Sequence, residues 1–128
     1  MSGDPRKLEG LLRLSEAVCQ KEQANLAAIS AEEAGLRRVL DDLEHARRHR
    51  ARDLSEGPDA ARLAGMDPPW EQWIDRRTTT LTQERARVRA RKETARQAFG
   101  LAYGRKEAVG ELLARARRAR QARRNDHS

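Results

Sequence analysis

The chain has 128 residues, with 27 Lys and Arg against 20 Asp and Glu, and a formal net charge of +7. Charged residues make up 37% and aromatics only 3%, which excludes a thick aromatic core and points to long, Ala-, Glu-, Arg- and Leu-rich helices. No window alternates apolar with polar residues, no stretch approaches the ~18 apolar residues of a membrane span, and the start MSGDPRKLEG carries no apolar leader.

The expected fold is therefore all-α and the expected location cytoplasmic. One domain is expected over residues 1–128: helix one about 6–56, a turn at 57–67 and helix two about 68–122. Asp4-Pro5 is suited to open helix one, with Asp as N-cap and Pro at the first helical position. Steps of four and three from Leu8 then give Leu12, Ser15, Cys19, Glu22, Leu26, Ile29, Glu33, Leu36, Leu40, Leu43, Arg47, Arg50 and Leu54. That is the spacing of a heptad seam, strongest from Leu36 to Leu43 and interrupted at its polar members.

Two features of helix one suggest chemistry and are read as structural. Asp41, His45 and His49 stand four residues apart, the spacing at which histidines share a metal. Three ligands on one exposed helix would leave a metal open, and Arg47, Arg48 and Arg50 repel a cation, so a solvated charged face is expected. Cys19, the one cysteine, falls on the seam and reads as a small buried hydrophobe.

In the turn, Gly57-Pro58 stops helix one, residues 59–64 allow one short turn before Gly65, and Asp67-Pro68 restarts a helix. Trp70 and Trp73 follow at once. The expected roles differ: Trp70 packs against Leu54, and Trp73 is left partly exposed toward a partner.

Helix two shows one unbroken line, Ile74, Leu81, Val88, Ala95, Ala102, Val109 and Ala116, seven residues apart. The companion line is read as Trp70, Arg77, Glu84, Arg91, Ala98, Arg105 and Leu112. A strict seven-residue repeat argues for a coiled coil. A short connection between long helices makes them antiparallel neighbours, so the architecture expected is an antiparallel coiled-coil hairpin. The register then sets Leu43 opposite Leu81, Leu36 opposite Val88, Ile29 opposite Ala95, Leu8 opposite Ala116 and Leu12 opposite Leu112. It also pairs Glu33 with Arg91 and sets Arg47 unfavourably against Arg77.

Gly100, Gly104 and Gly110 are expensive in a helix. The favoured explanation is close packing against helix one, braced by Phe99 and Tyr103; a flexible joint or a small-residue patch for a partner is the other. No glycine-rich phosphate loop and no paired general acid and base are present, so no enzyme activity, cofactor or small-molecule ligand is expected.

Charge is unevenly divided. Residues 1–75 carry 11 Lys and Arg against 15 Asp and Glu, whereas residues 76–128 carry 16 against 5. The densest run is Arg115, Arg117, Arg118, Arg120, Arg123 and Arg124, on a helix end expected to fray. Such a run suits a helix C-terminus, a phosphate backbone or an acidic protein surface. It has no aromatics for base stacking, so sequence-specific reading of nucleic acid is not expected.

Two segments together, LEGLLRLSEAVCQKEQANLAAISAEEAGLRRVLDDL and WEQWIDRRTTTLTQERARVRARKETARQAFGLAYGRKEAVGELL, resemble the opening and returning helices of the FliJ/YscO family. These are stalk proteins of the flagellar and virulence type III export ATPase. The resemblance covers about residues 8–120. It implies a two-helix hairpin like the gamma stalk of rotary ATP synthases, without catalysis of its own. It implies three partners: the hexameric export ATPase, the membrane-embedded export gate and escort chaperones, with the chain peripheral at the cytoplasmic face of that apparatus. The ATPase-facing residues would be Leu8, Leu11, Leu12, Leu112, Leu113 and the Arg115–Arg124 run. The gate-facing spot would be Trp70, Trp73 and Ile74. The competing expectations are a nucleic-acid-associated coiled coil using the arginine run, and a coiled-coil adaptor for another assembly. Oligomeric state is left open by the interrupted seam.

Overall fold

A computed structural model describes residues 3–56 and 68–127. Two helices pack against each other, α1 (Pro5–Glu56) and α2 (Pro68–Asp126), and no strand occurs among the described residues. The turn expected at 57–67, with its Gly57-Pro58 stop and Asp67 restart, lies outside them.

The start of α1 follows the sequence logic. The Asp4 carboxylate accepts from the Arg6 backbone N–H at 3.0 Å, and the Asp4 carbonyl accepts from Leu8 N–H at 3.0 Å. The capping side chain satisfies a first-turn donor, while Pro5 has no N–H to satisfy. At the other terminus α2 continues to Asp126, beyond the expected 122. Arg and Ala, both good helix formers, dominate that segment, and the arginines sit where the helix dipole favours cations.

The chain divides into two compact units. The first comprises the described parts of residues 1–28 and 92–128, the second residues 29–91. In the second unit, Ile29, Ile74, Leu81 and Val88 are buried, with Ile74 only 1% exposed. Leu36, Leu40 and Leu43 are half-buried beside them. In the first unit the buried residues are smaller on average: Cys19, Ala95, Ala102, Val109, Leu113 and Ala116.

Two heptad lines are as read. On α1 every seam residue from Leu8 to Leu54 is buried or half-buried except Arg47. On α2 all seven members of the line from Ile74 to Ala116 are buried.

The companion line of α2 is a correction. Arg77, Glu84, Arg91, Arg105 and Leu112 are exposed, whereas Thr78, Arg85, Lys92, Phe99 and Lys106 are half-buried and Leu113 is buried. The seam thus steps forward by four from Ile74, not by three. Three of its members are cations whose aliphatic stems cover apolar surface while their heads reach water. Phe99 belongs to this seam and also stacks on Tyr103, with ring centroids 6.2 Å apart and a 44° tilt, so the expected brace is present.

The polar contacts shift accordingly. Within the second unit Arg91, expected opposite Glu33, donates to Glu32 at 3.3 and 3.4 Å. Glu33, its side chain 15% exposed, lies 3.8 Å from both Arg85 and Arg89. Arg47 does not meet Arg77: it forms an ion pair with Asp75. The half-buried Trp70 has the Arg50 guanidinium 5.1 Å from its ring centroid, a cation–π geometry that the expected Leu54 contact did not include.

The glycine expectation is corrected at Gly100 and Gly104. A Cβ added at Gly100 or Gly104 would meet nothing within 4 Å, and one at Gly110 would meet only Leu12 Cδ1, at an ordinary 3.9 Å. Gly100 and Gly104 each stand two residues from buried Ala102. Two residues rotate a helix by ~200°, which puts both on its far side.

Candidate partner-docking surfaces

The sequence-predicted site residues divide by exposure. In the first unit, Leu8 and Leu12 are half-buried on the seam, and Leu113 is 3% exposed, so its side chain fills the unit's own core. Leu11 and Leu112 are 46% and 49% exposed. All six tail arginines are exposed.

Those arginines are not isolated. Arg117 donates to Glu9 at 3.1 Å, and Arg115 donates to Glu111 at 3.0 Å. Pro5 and Glu9 share a shallow cleft with Arg117, Arg120 and Arg124. Asp4 and Pro5 border another with Arg120, Arg123, Arg124 and His127. The start of α1 and the end of α2 thus form one surface within this unit, and its charge is mainly cationic.

In the second unit Ile74 is enclosed, Trp70 is half-buried under Arg50, and Trp73 is 54% exposed. Of the three residues read as a gate-facing spot, Trp73 offers the most surface. Nearby, His49 Nδ1 lies 3.3 Å from an Asp53 carboxylate oxygen, and Asp41 and His45 are exposed. Among the described residues no three His, Cys, Asp or Glu side chains gather as a metal site.

Sequence reasoning missed a second apolar stripe in the first unit. Leu14 is 61% exposed and Leu101 65%, and Val18 is exposed as well. With Leu11 they follow the same three-and-four spacing as the seam, offset from it: Leu11, Leu14 and Val18 on α1, and Leu101, Ala108 and Leu112 on α2. The periodicity was available in the sequence. It is masked on α2 because Arg105 and Leu112 also fit a companion line beside Ile74–Ala116.

The opposite side of the unit is polar. A cleft of about 690 Å³ there is lined by Leu12, Glu16, Cys19, Gln23, Lys106 and Glu107 among others. Buried Cys19 lines it without a His beside it. On the outer face of α2, Arg96 donates to Glu93 at 2.7 and 3.0 Å, which holds the Glu93 carboxyl below its ordinary pKa.

Among the described residues no helix is long and apolar enough to cross a membrane. Compared with protein-family models, with curated proteins and with solved structures, the chain matches none.

Proposed function

We propose that the chain is a non-catalytic coiled-coil stalk, folded as an antiparallel hairpin, that binds a hexameric type III export ATPase through its terminal end. In this reading it promotes assembly and activity of the ring and links it to the export gate and escort chaperones, as the FliJ/YscO resemblance implies. The observation that carries it is the basic surface where Pro5 and Glu9 lie beside Arg117, Arg120 and Arg124. A stalk entering a ring needs its two ends side by side and a charge that attracts the ring's lining. Exposed Leu11 and Leu112 add apolar area to that end, and Trp73 supplies a separate apolar spot for the gate.

The test is ATP hydrolysis by the cognate hexameric ATPase with and without the chain. Stimulation is expected, and its loss in Arg120→Glu/Arg124→Glu with helicity unchanged. Absence of both stimulation and co-purification overturns the reading. The hairpin is tested separately by Leu43→Cys/Leu81→Cys in a Cys19→Ala background, which should form an intramolecular disulfide under mild oxidation.

The exposed arginine run also favours a second reading, a nucleic-acid-associated coiled coil holding phosphate backbone. It predicts sequence-independent DNA binding that falls steeply with salt and disappears in the same arginine variant, with ATPase activity unmoved.

A further inference from the structure

The first unit buries Val109 and Leu113 but leaves several other large apolar side chains outside, and small residues fill much of its interior. Its core is built largely of Cys19, Ala95, Ala102 and Ala116, while Leu14 and Leu101 stand 61% and 65% exposed. Scattered exposed leucines need no explanation, but these are periodic. Lys7, Leu11, Leu14, Val18 and Lys21 alternate steps of four and three along α1, and Leu101, Arg105, Ala108, Leu112 and Arg115 do the same along α2. A 3.5-residue repeat keeps each set in one line on its helix. The two lines border one groove: an almost wholly apolar cleft of about 180 Å³ is lined by Leu14, Ser15 and Val18 from α1 and by Ala102 and Arg105 from α2.

Charge selects the occupant. From Lys7 to Lys21 and from Leu101 to Arg115, no position of these two lines carries a carboxylate, and four carry cations: Lys7, Lys21, Arg105 and Arg115, the last of which pairs with Glu111. A second copy laid on this face would set cations against cations. A membrane surface would meet the leucines but leave the cleft between them unfilled. A helix fills it, because a ridge of side chains packs into a groove between two ridges.

We propose that this groove docks an amphipathic helix of a partner protein, with an apolar ridge and acidic flanks. From Leu101 to Leu112 the stripe spans ~16 Å, so the docked segment is about three turns long. The anchors are Leu14, Val18 and Leu101, and Arg105 selects for acidic flanks. The proposal goes beyond the stalk reading and does not depend on it. Its anchors Leu14, Val18 and Leu101 and its selecting Arg105 lie outside the set assigned to the ATPase, although the stripe runs on into Leu11, Leu112 and Arg115, which belong to that set.

The probe is a labelled helical peptide of about 18 residues, long enough to hold helix. It carries Leu at seam positions and Glu on the flanks, and its counterpart carries Lys instead. Binding to the full chain is read by fluorescence anisotropy. The acidic peptide should bind at least ~10-fold tighter than the lysine peptide, and Leu14→Ser/Leu101→Ser should weaken it ~10-fold with helicity unchanged. Arg105→Glu should shift the preference toward the lysine peptide. Equal binding of the two peptides overturns the proposal. So does a dimer in sedimentation equilibrium that Leu14→Ser/Leu101→Ser dissociates, which would make the occupant a second copy. Preference for phosphatidylserine vesicles over the acidic peptide overturns it too. ATPase stimulation that survives Leu14→Ser/Leu101→Ser separates this groove from the terminal surface.

Discussion

The two units use the same heptad grammar and differ in how much of their large apolar volume they bury. In residues 29–91 Ile29, Ile74, Leu81 and Val88 are inside, and Trp73 and Val39 are the large apolar side chains left exposed among the described residues. The positions equivalent to the outer stripe of the first unit include Glu32 and Arg91, which pair with each other. In the unit formed by residues 1–28 and 92–128, alanines occupy much of the interior and leucines occupy those outer positions. One unit is organised to hold itself together. The other withholds part of its apolar area from its own core, which is what a surface meant for another molecule does.

The comparison can be broken by stability measurements, the largest first. Ile74→Ala should lower the free energy of urea unfolding by ~2–4 kcal/mol, because it removes an enclosed side chain and leaves a cavity. A loss below that range would mean the second unit is not held by this line. Trp70→Ala removes a half-buried ring and its Arg50 contact, and should cost about 1–2 kcal/mol in the same assay. Gly100→Ala and Gly104→Ala each fill open space on a helix face and should raise stability by ~1 kcal/mol. A decrease would restore the close-packing explanation. Leu14→Ser and Leu101→Ser should each change stability by no more than ~0.5 kcal/mol, although each removes a leucine. Should either match Ile74→Ala, the contrast between the units fails. Trp73→Ala is expected to lie within the same small range.

Much of the fold was legible because a buried line repeats regardless of what faces it. Leu8 through Leu54 and Ile74 through Ala116 could be followed by spacing alone. The second line of α2 could not. On either side of Ile74, Leu81 and Val88 the candidates are polar, and choosing Arg85, Lys92 and Lys106 requires knowing that long cationic stems lie against apolar surface. That misassignment put Arg105 and Leu112 on the seam, where they concealed the outer stripe they help to form. Gly100 and Gly104 carried no directional signal of their own; only their offset from Ala102 reveals that they face outward. The arginine run was plain as charge, but its partnership with Pro5 and Glu9 depends on the packing of α1 against α2.

Both tryptophans, Trp70 and Trp73, belong to residues 29–91, and the single tyrosine, Tyr103, belongs to the other unit, stacked on Phe99 and with Lys106 Nζ 4.8 Å from its ring centroid. Each unit therefore carries its own chromophore. Indole emission follows one and phenol absorbance the other, without any label. A single thermal scan read at both signals distinguishes one cooperative transition from two, because coincident midpoints are the signature of a molecule that melts as a whole.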